Sequence, residues 1–174
     1  MAVESNLHIH LNEHLNTEIV LKTITNLATA IQWISSTFLY VRLHKNPKMY
    51  GLTMESEEEI DEKLNDIVNN FFNELEANGL LIKNGDGIVS ATNAGILMAQ
   101  QCLSLKSIQT FQQLRGNESA GDLLNVLCTC QEFKGISFRA NDKKLLNQLN
   151  QNLAKGLRYP IQGRVKSIDM KISW

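Results

Sequence analysis

Three histidines near the start of the chain have a spacing that could bind a metal ion. His8, His10 and His14 fall within seven residues, and His10 and His14 are four apart, which would place both imidazoles on one face of a helix. Glu13 and Glu18 are close enough in sequence to add a carboxylate. Histidine pairs at this spacing are also frequent by chance, so we expect structural histidines and no metal.

Motifs for nucleotide hydrolysis and for nucleophilic catalysis are absent. The sequence has no Gly-x-x-x-x-Gly-Lys-Ser/Thr phosphate loop and no Asp-Glu-x-His box for magnesium. It also supports no Ser-His-Asp or Cys-His arrangement. We therefore expect a segment without catalytic residues and without a cofactor of its own.

The cysteines, Cys102, Cys128 and Cys130, lack the spacing of a disulfide framework. An odd number fits a reducing compartment better than a secreted protein. Cys128 and Cys130 lie two apart on a predicted helix, so their side chains should point to nearly opposite faces. We expect core or partly buried thiols in preference to metal ligands.

Charge is unevenly distributed along a chain whose formal net charge is −1. Residues 1–133 hold 8 basic and 16 acidic residues, whereas residues 134–174 hold 9 basic and 2 acidic residues. Six residues of this basic part could form a phosphate track around one stacking ring: Lys155, Arg158, Tyr159, Arg164, Lys166 and Lys171. The alternative, which we favour, is a solvated surface that balances the acidic part.

Length and composition fit one domain or two small ones, since the chain has 174 residues, 43% of them apolar and 20% charged. No apolar run approaches about 18 residues, so no membrane span is expected. Apolar periodicity and capping residues predict seven helices. They cover residues 4–22 and 28–45, a helix that begins at Ser56 and ends at Asn78-Gly79, a helix capped by Thr92, and residues 104–115, 119–133 and 141–153. A hairpin is predicted within residues 80–91. This pattern predicts a mainly α fold: a winged helix, with a three-helix core and a small β-hairpin wing, followed by part of an α-helical bundle.

Two of these helices carry specific packing predictions. Residues 28–45 should form one helix, capped by Asn26 and ended by Pro47. It should be buried on two sides, through one stripe of Ile31, Ile34, Phe38 and Val41 and an adjoining stripe of Trp33, Thr37 and Tyr40. The helix at 119–133, capped by Ser119, should have a core face of Leu123, Leu127 and Cys130.

The third helix is strongly acidic. Residues 55–76 hold nine acidic residues and Lys63 as their one cation. Free winged helices insert this helix into the DNA major groove, where cations must neutralise phosphates. We therefore expect no major-groove binding by this helix.

Several motifs in order resemble the segment that follows the second motor lobe in Ski-like DExH helicases of superfamily two. They are His14-Leu15-Asn16-Thr17-Glu18-Ile19, Trp33, Leu39-Tyr40-Val41-Arg42 and Asn46-Pro47-Lys48-Met49-Tyr50-Gly51, followed by Thr92-x-x-Gly95-x-x-x-Ala99. Gln100-Gln101-Cys102 replaces a pair of aromatic residues usual in the family, so one packing contact must differ. Within the family, four further motifs resemble the branch of the meiotic crossover DNA helicase: Asp122-Leu123-Leu124, Cys130-x-Glu132-Phe133, Asn141-Asp142-Lys143-Lys144 and Tyr159-Pro160-Ile161-Gln162-Gly163-Arg164-Val165-Lys166.

The resemblance implies a non-catalytic fragment of a nuclear, ATP-dependent DNA helicase of meiotic recombination. Residues 1–22 would be a linker helix from the motor lobe, 23–102 the winged helix, and 103–174 the truncated start of the helical ratchet domain. ATP and magnesium would belong to the parent's motor lobes. The fragment would brace those lobes against the helical bundle and help to form a channel for one DNA strand.

The resemblance also implies an interface with the rest of the same polypeptide. Its candidate residues are His14, Glu18, Trp33, Tyr40, Arg42, Pro47 and Tyr50. Core packing is an equal alternative for Trp33 and Tyr40, and Arg42 should form an ion pair either within the domain or with the motor lobe. Gly95 would allow a close helix approach or is simply tolerated.

Two other functions remain open from the sequence. The winged helix could be an adaptor that binds another protein, and surface exposed by excision could let fragments pair as a homodimer. The segment could also be the equivalent module of an RNA or splicing helicase.

Overall fold

The computed structural model describes residues 3–53, 56–134 and 142–151. These residues fall into two compact units that divide between Leu103 and Ser104, here called unit 1 and unit 2. No helix in the described ranges combines the length and the apolar character needed to cross a bilayer.

The predicted fold class is confirmed: the described residues are mainly α-helical, with one antiparallel hairpin among them. In chain order the elements are α1 (Leu11–Val20), α2 (Leu27–Ser35), α3 (Phe38–Lys45), α4 (Glu57–Ala77), β1 (Leu81–Lys83), β2 (Val89–Ala91), α5 (Asn93–Gln100), α6 (Leu105–Phe111), α7 (Ala120–Thr129) and α8 (Asp142–Gln151). Short 3₁₀ helices cover Leu7–His10, Pro47–Tyr50 and Gln131–Phe133.

Unit 1 packs its helices around the hairpin. Helix α1 contacts α5 and β2, α2 contacts α3 and α4, and α4 contacts β1. The strands pair with Leu81 opposite Ala91, Ile82 opposite Ser90 and Lys83 opposite Val89. The Val89 N–H donates to the Thr25 carbonyl at 2.8 Å, so residue 25 lines the second edge of β2. The fully buried side chains include Leu15, Ile24, Ile34, Leu39, Val68, Leu75, Leu80 and Met98.

The first predicted helix, 4–22, is too long at its start. Residues 7–10 are 3₁₀, and the α-helix begins only at Leu11. The reason is local hydrogen bonding, because the Ser5 hydroxyl accepts from the Leu7 N–H and holds the segment before it in an irregular path. Apolar spacing predicts Leu7, Leu11, Leu15 and either Ile19 or Leu21 on one side of this helix. Leu11, Leu15 and Ile19 are buried, whereas Leu7 is half-buried and Leu21 is exposed.

The second predicted helix is wrong as one continuous element. It breaks at residues 36–37, where the Thr37 hydroxyl accepts from the Tyr40 N–H and starts α3. Hydroxyls of Ser35, Ser36 and Thr37 all donate to carbonyls of α2 and compete with the helical pattern. The break rotates α3, so the predicted stripes fail: Phe38 and Val41 are exposed, while Leu39 and Leu43 are buried.

Helix α4 follows its prediction closely. The Ser56 hydroxyl accepts from the Glu59 N–H. Of the apolar face that periodicity predicts, Ile67 and Phe71 are only half-buried, while the other members are buried: Ile60, Leu64, Val68, Phe72 and Leu75. Asn78 ends the helix, and Gly79 adopts a left-handed φ of 65° that favours glycine.

In unit 2 the predicted Ser119 cap is confirmed, whereas the predicted core face of the helix that follows it is partly wrong. Ser119 and Asp122 form a reciprocal capping box at the start of α7, and Ser104 caps α6. The predicted core face of α7 is wrong for Leu123 and Leu127, which are exposed. Cys130 is buried, but it lies after the helix in an extended conformation because α7 ends at Thr129. Helix α6 ends at Phe111, before the predicted residue 115.

Candidate interdomain joint

A glutamate near the start of the chain gathers a cluster of donors. The Glu4 carboxylate accepts from Arg42 Nε at 2.9 Å and Arg42 Nη2 at 2.6 Å. It also accepts from Asn46 Nδ2 and from the Tyr50 hydroxyl, both at 3.0 Å. We call Glu4, Arg42, Asn46 and Tyr50 the Glu4 cluster. It fixes the segment before α1 onto the end of α3 and the turn that follows.

The Asn-Pro-x-x-Tyr-Gly motif builds one side of this cluster. Asn46 leaves the helical conformation at the end of α3, and Pro47 opens the 3₁₀ turn that carries Tyr50. Gly51 then reverses the chain with a φ of 74°, a region that side chains other than glycine rarely adopt. The motif therefore places an amide and a phenol at fixed positions beside Arg42.

Electrostatics in the cluster favour the ionised carboxylate. The hydrogen bonds from Arg42, and then that from Asn46, lower the pKa of Glu4 to about 2. The same pairing with Glu4 raises the pKa of Arg42. The side chains of Arg42 and Glu4 are only 13% and 20% exposed, so water screens this pair less than it screens a surface ion pair.

Tyr50 extends the cluster to the backbone before α1. Its oxygen accepts from the Ser5 N–H at 2.8 Å, and the His8 ring lies edge-on against its ring at 5.0 Å between centroids. His8 Nδ1 lies 3.1 Å from the Ser5 carbonyl oxygen. Within the described residues, no three His, Cys, Asp or Glu side chains are grouped so that they could hold a metal ion.

A second polar cluster joins α3 to α4. The Tyr40 hydroxyl donates to the Asp61 carboxylate at 3.1 Å, and the Tyr40 ring packs on His44 with centroids 4.3 Å apart. His44 Nε2 lies 3.5 Å from the same carboxylate. Burial raises the pKa of Tyr40, and the hydrogen bond to Asp61 adds to this effect. Tyr40 thus has a packing and hydrogen-bonding role inside the winged helix.

Helix α1 is fixed at its centre by Asn16. This side chain is completely buried, and its Nδ2 donates to the Gly95 carbonyl oxygen at 2.8 Å. A Cβ on Gly95 would lie 2.2 Å from the Leu80 carbonyl oxygen and 2.9 Å from Asn16 Oδ1. Of the two interpretations of Gly95, the structure therefore supports a close approach of backbones.

The remaining predicted interface residues lie at different places in unit 1. His14 is exposed on α1, whereas Glu18, Trp33 and Pro47 are half-buried. The Glu18 carbonyl accepts from the N–H groups of residues 23 and 24 and closes the end of α1. Arg42 has its ion pair within the domain. Contact of any of these residues with a motor lobe stays a prediction.

The six predicted nucleic-acid-binding residues, from Lys155 to Lys171, lie outside the described residues. Sequence reasoning missed Glu4 and Asp61 as partners. Glu4 lies 38 residues before Arg42, and no spacing connects the two. The available signal was the absence of any acidic residue between Glu18 and Glu55, because it places any acidic partner of Arg42 in this chain outside that stretch.

Comparison with known proteins gives two family matches. Residues 4–84 match the family described as Winged Helix-turn-helix domain. Residues 91–174 match the family described as Sec63 Brl domain. Both clusters and the motifs that build them lie in the first of these matches.

Relatives match nearly the whole chain. Probable ATP-dependent DNA helicase HFM1 is 40% identical over 175 residues in Homo sapiens, which cover 99% of this chain and 12% of that protein. The Xenopus tropicalis protein of that name is 37% identical over 174 residues, covering 99% of this chain and 13% of that protein. ATP-dependent DNA helicase MER3 of Saccharomyces cerevisiae is 33% identical over 165 residues, covering 91% of this chain and 13% of that protein.

The chain thus spans about an eighth of the length of these relatives. In this chain the winged helix precedes the Sec63 Brl domain, which is the order that the resemblance of the motifs implies. The chain therefore consists of a winged-helix domain followed by a Sec63 Brl domain, and it is similar to the corresponding segment of the HFM1 and MER3 helicases.

Proposed function

We propose that this segment braces the motor lobes of an ATP-dependent DNA helicase of meiotic recombination against its helical bundle. The names of the HFM1 and MER3 relatives support a DNA helicase as the parent. ATP and magnesium would bind in the motor lobes, and the protein would act in the nucleus. The segment itself would contribute rigidity and part of a channel for one strand.

The observation that carries this proposal is the Glu4 cluster. Glu4 lies in an irregular segment before the first helix, which on its own could adopt many orientations. Four hydrogen bonds to three side chains fix it on unit 1. A domain joined to this segment would therefore keep a defined orientation relative to the winged helix, as transmission of motor movement requires.

The charge of α4 supports bracing in preference to duplex recognition. Its exposed residues include Glu57, Glu58, Glu59, Glu62 and Asp66. Lys63 lies 3.9 Å from Asp66 and is therefore already paired. Such a surface repels the phosphates of a duplex, because affinity for DNA depends on cations that replace counterions.

The test is a comparison of motor and unwinding activities in the full-length helicase. Glu4→Gln keeps the shape of the side chain but removes the charge that binds Arg42. We expect DNA-stimulated ATP hydrolysis to continue while base pairs unwound per ATP fall several-fold. Glu62→Gln is the matched control, since Glu62 is an exposed glutamate outside the cluster. An unchanged ratio in the Glu4 variant, in protein that remains folded, would contradict the proposal.

A further inference from the structure

A long part of unit 1 is free of negative charge. Residues 19–54 contain no aspartate or glutamate, although the whole chain has 18. The same residues include Lys22, Arg42, Lys45 and Lys48. Helices α2 and α3 and the turn after them therefore carry only positive formal charge of their own, although Glu4 contacts Arg42 and Asp61 contacts Tyr40 on α3.

Helix α3 exposes apolar side chains in this positive region. Phe38 is 52% exposed and Val41 is 43% exposed. With Lys45, which is also exposed, they occupy positions i, i+3 and i+7 and so share one side of the helix. We call Phe38, Val41 and Lys45 the α3 face. Exposed apolar side chains grouped in this way commonly mark an interaction site.

The cations beside these apolar residues are available to a partner. Arg42 is bound by Glu4, but Lys45 and Lys48 are exposed and form no ion pair within the described part of the chain. Two cations are too few for a phosphate track, which needs several neutralising contacts. An apolar pair with flanking lysines instead fits a protein surface with apolar side chains and carboxylates.

The path of the chain indicates which surface this is. Arg42 directly follows Val41, and its ion pair holds Glu4 against the end of α3. Any polypeptide that precedes residue 3 in the parent helicase therefore continues from beside Arg42, which lies one helical turn after Phe38 of the α3 face. A tethered domain reaches such a site at high effective concentration, without new binding energy. The relatives are about eight times longer than this segment, so they contain enough additional polypeptide to form such a tethered domain.

We infer that the α3 face docks an acidic, apolar-bearing surface of the domain that immediately precedes this segment in the parent helicase. This inference rests on the proposed function and names the surface through which the brace acts. A second copy of this chain fits the α3 face less well than the preceding domain. Its acidic α4 would have to bind the α3 face of the first copy, and contacts between two different surfaces build rings or open chains of molecules instead of a closed pair.

Footprinting of the full-length helicase tests the inference. Hydroxyl-radical oxidation and lysine acetylation, both read by mass spectrometry, report the exposure of individual side chains. We expect Phe38 and Val41 to be oxidised several-fold less, relative to their intrinsic reactivities, than Ile82 and Ile88, which are 56% and 44% exposed in the segment alone. Lys45 and Lys48 should be acetylated more slowly than Lys63.

A charge-matched pair of variants decides whether the α3 face itself causes the protection. The double variant Lys45→Glu with Lys48→Glu should restore oxidation of Phe38. Lys63→Glu with Lys83→Glu makes the same change in charge away from α3 and should leave Phe38 protected. Phe38 oxidised like an exposed phenylalanine in the unaltered helicase overturns the inference.

Dilution separates the possible occupants. Protection by a tethered domain is independent of concentration, whereas protection that disappears on dilution assigns the face to a second copy or a separate protein and overturns the inference. The Glu4→Gln test is independent of this result. If Phe38 is unprotected but Glu4→Gln still lowers the number of base pairs unwound per ATP, this inference is overturned and the proposed bracing function stands.

Discussion

The Asn16 amide donates a 2.8 Å hydrogen bond to the carbonyl of Gly95, 79 residues later in the chain. The two residues join α1, which follows the anchored N-terminal segment, to α5, which follows the wing. At the same place the Leu80 carbonyl accepts from the Thr92 N–H at 3.0 Å. Helix α1, helix α5 and the residue before β1 therefore approach one another at Gly95, where a side chain would not fit.

Gly95→Ala should destabilise unit 1. The new Cβ would lie 2.2 Å from the Leu80 carbonyl oxygen, and that oxygen belongs to a backbone that cannot easily move. We expect a loss of roughly 1–3 kcal/mol in the free energy of unfolding, as for other overpacked sites. Urea denaturation followed by circular dichroism measures it. Gly85→Ala is the control, since nothing lies within 4 Å of its Cβ position. Equal stability of the two variants would refute this close approach.

Helix signals in the sequence were reliable where they were local. Asn26, Ser56, Thr92 and Ser119 all cap the helices that they were predicted to cap. Each cap depends on residues within three positions, so a short stretch of sequence contains the whole interaction. Apolar periodicity continues across the break between α2 and α3 and therefore predicts a single helix. The hydroxyls of Ser35, Ser36 and Thr37 bond to carbonyls of α2 and compete with that pattern, which periodicity does not register.

Thr37→Ala should weaken α3 and with it the position of Arg42. The Thr37 hydroxyl accepts from the Tyr40 N–H and donates to the Ile34 carbonyl, so the substitution removes the N-cap of the helix. A loss of about 1 kcal/mol in the free energy of unfolding is expected. Ser36→Ala, which removes one exposed hydroxyl bond to Trp33, should change stability much less. Chemical denaturation of both variants gives the comparison, and a larger effect at Ser36 would contradict the assigned cap.

Glu4 should make stability depend on acid pH. Its carboxyl has a pKa of about 2 in the folded chain, lowered from 4.5 chiefly by Arg42. Because the folded state favours the ionised form, this stabilisation is present above pH 4.5 and disappears as the pH falls through 2. The melting temperature of Glu4→Gln should therefore be lower than that of the unaltered chain at pH 6 and approach it near pH 2. A difference that stays constant over this range would exclude the proposed ionisation.

The long-range parts of the site could not be derived from the sequence. Arg42 was expected to pair within the domain or with a motor lobe, and only the folded chain brings it to Glu4. Tyr40 and Asp61 are similarly joined by the packing of α3 on α4. Such contacts depend on how helices pack in three dimensions, which helix periodicity alone does not determine. The exposure of Leu123 and Leu127 on α7 was missed because periodicity identifies an apolar face but not the partner that covers it.

The basic C-terminal part should bind single-stranded DNA if it belongs to the strand channel. Anisotropy of a labelled oligonucleotide, titrated with this chain across salt concentrations, measures the affinity and its salt slope. We expect a steep slope that is lost when Arg164, Lys166 and Lys171 are changed to Glu, since each phosphate contact releases counterions. Absence of binding even at low salt would leave the strand channel to other parts of the helicase.

The most direct measurement is a double-mutant cycle on Glu4 and Arg42 in the full-length helicase, with base pairs unwound per ATP as the readout. If their ion pair transmits motor movement, Glu4→Gln and Arg42→Gln should each lower the ratio several-fold. The double variant should be no worse than the poorer single one, because each change already removes the same contact. Losses that multiply, or single variants that unwind normally, would contradict a brace built on this pair.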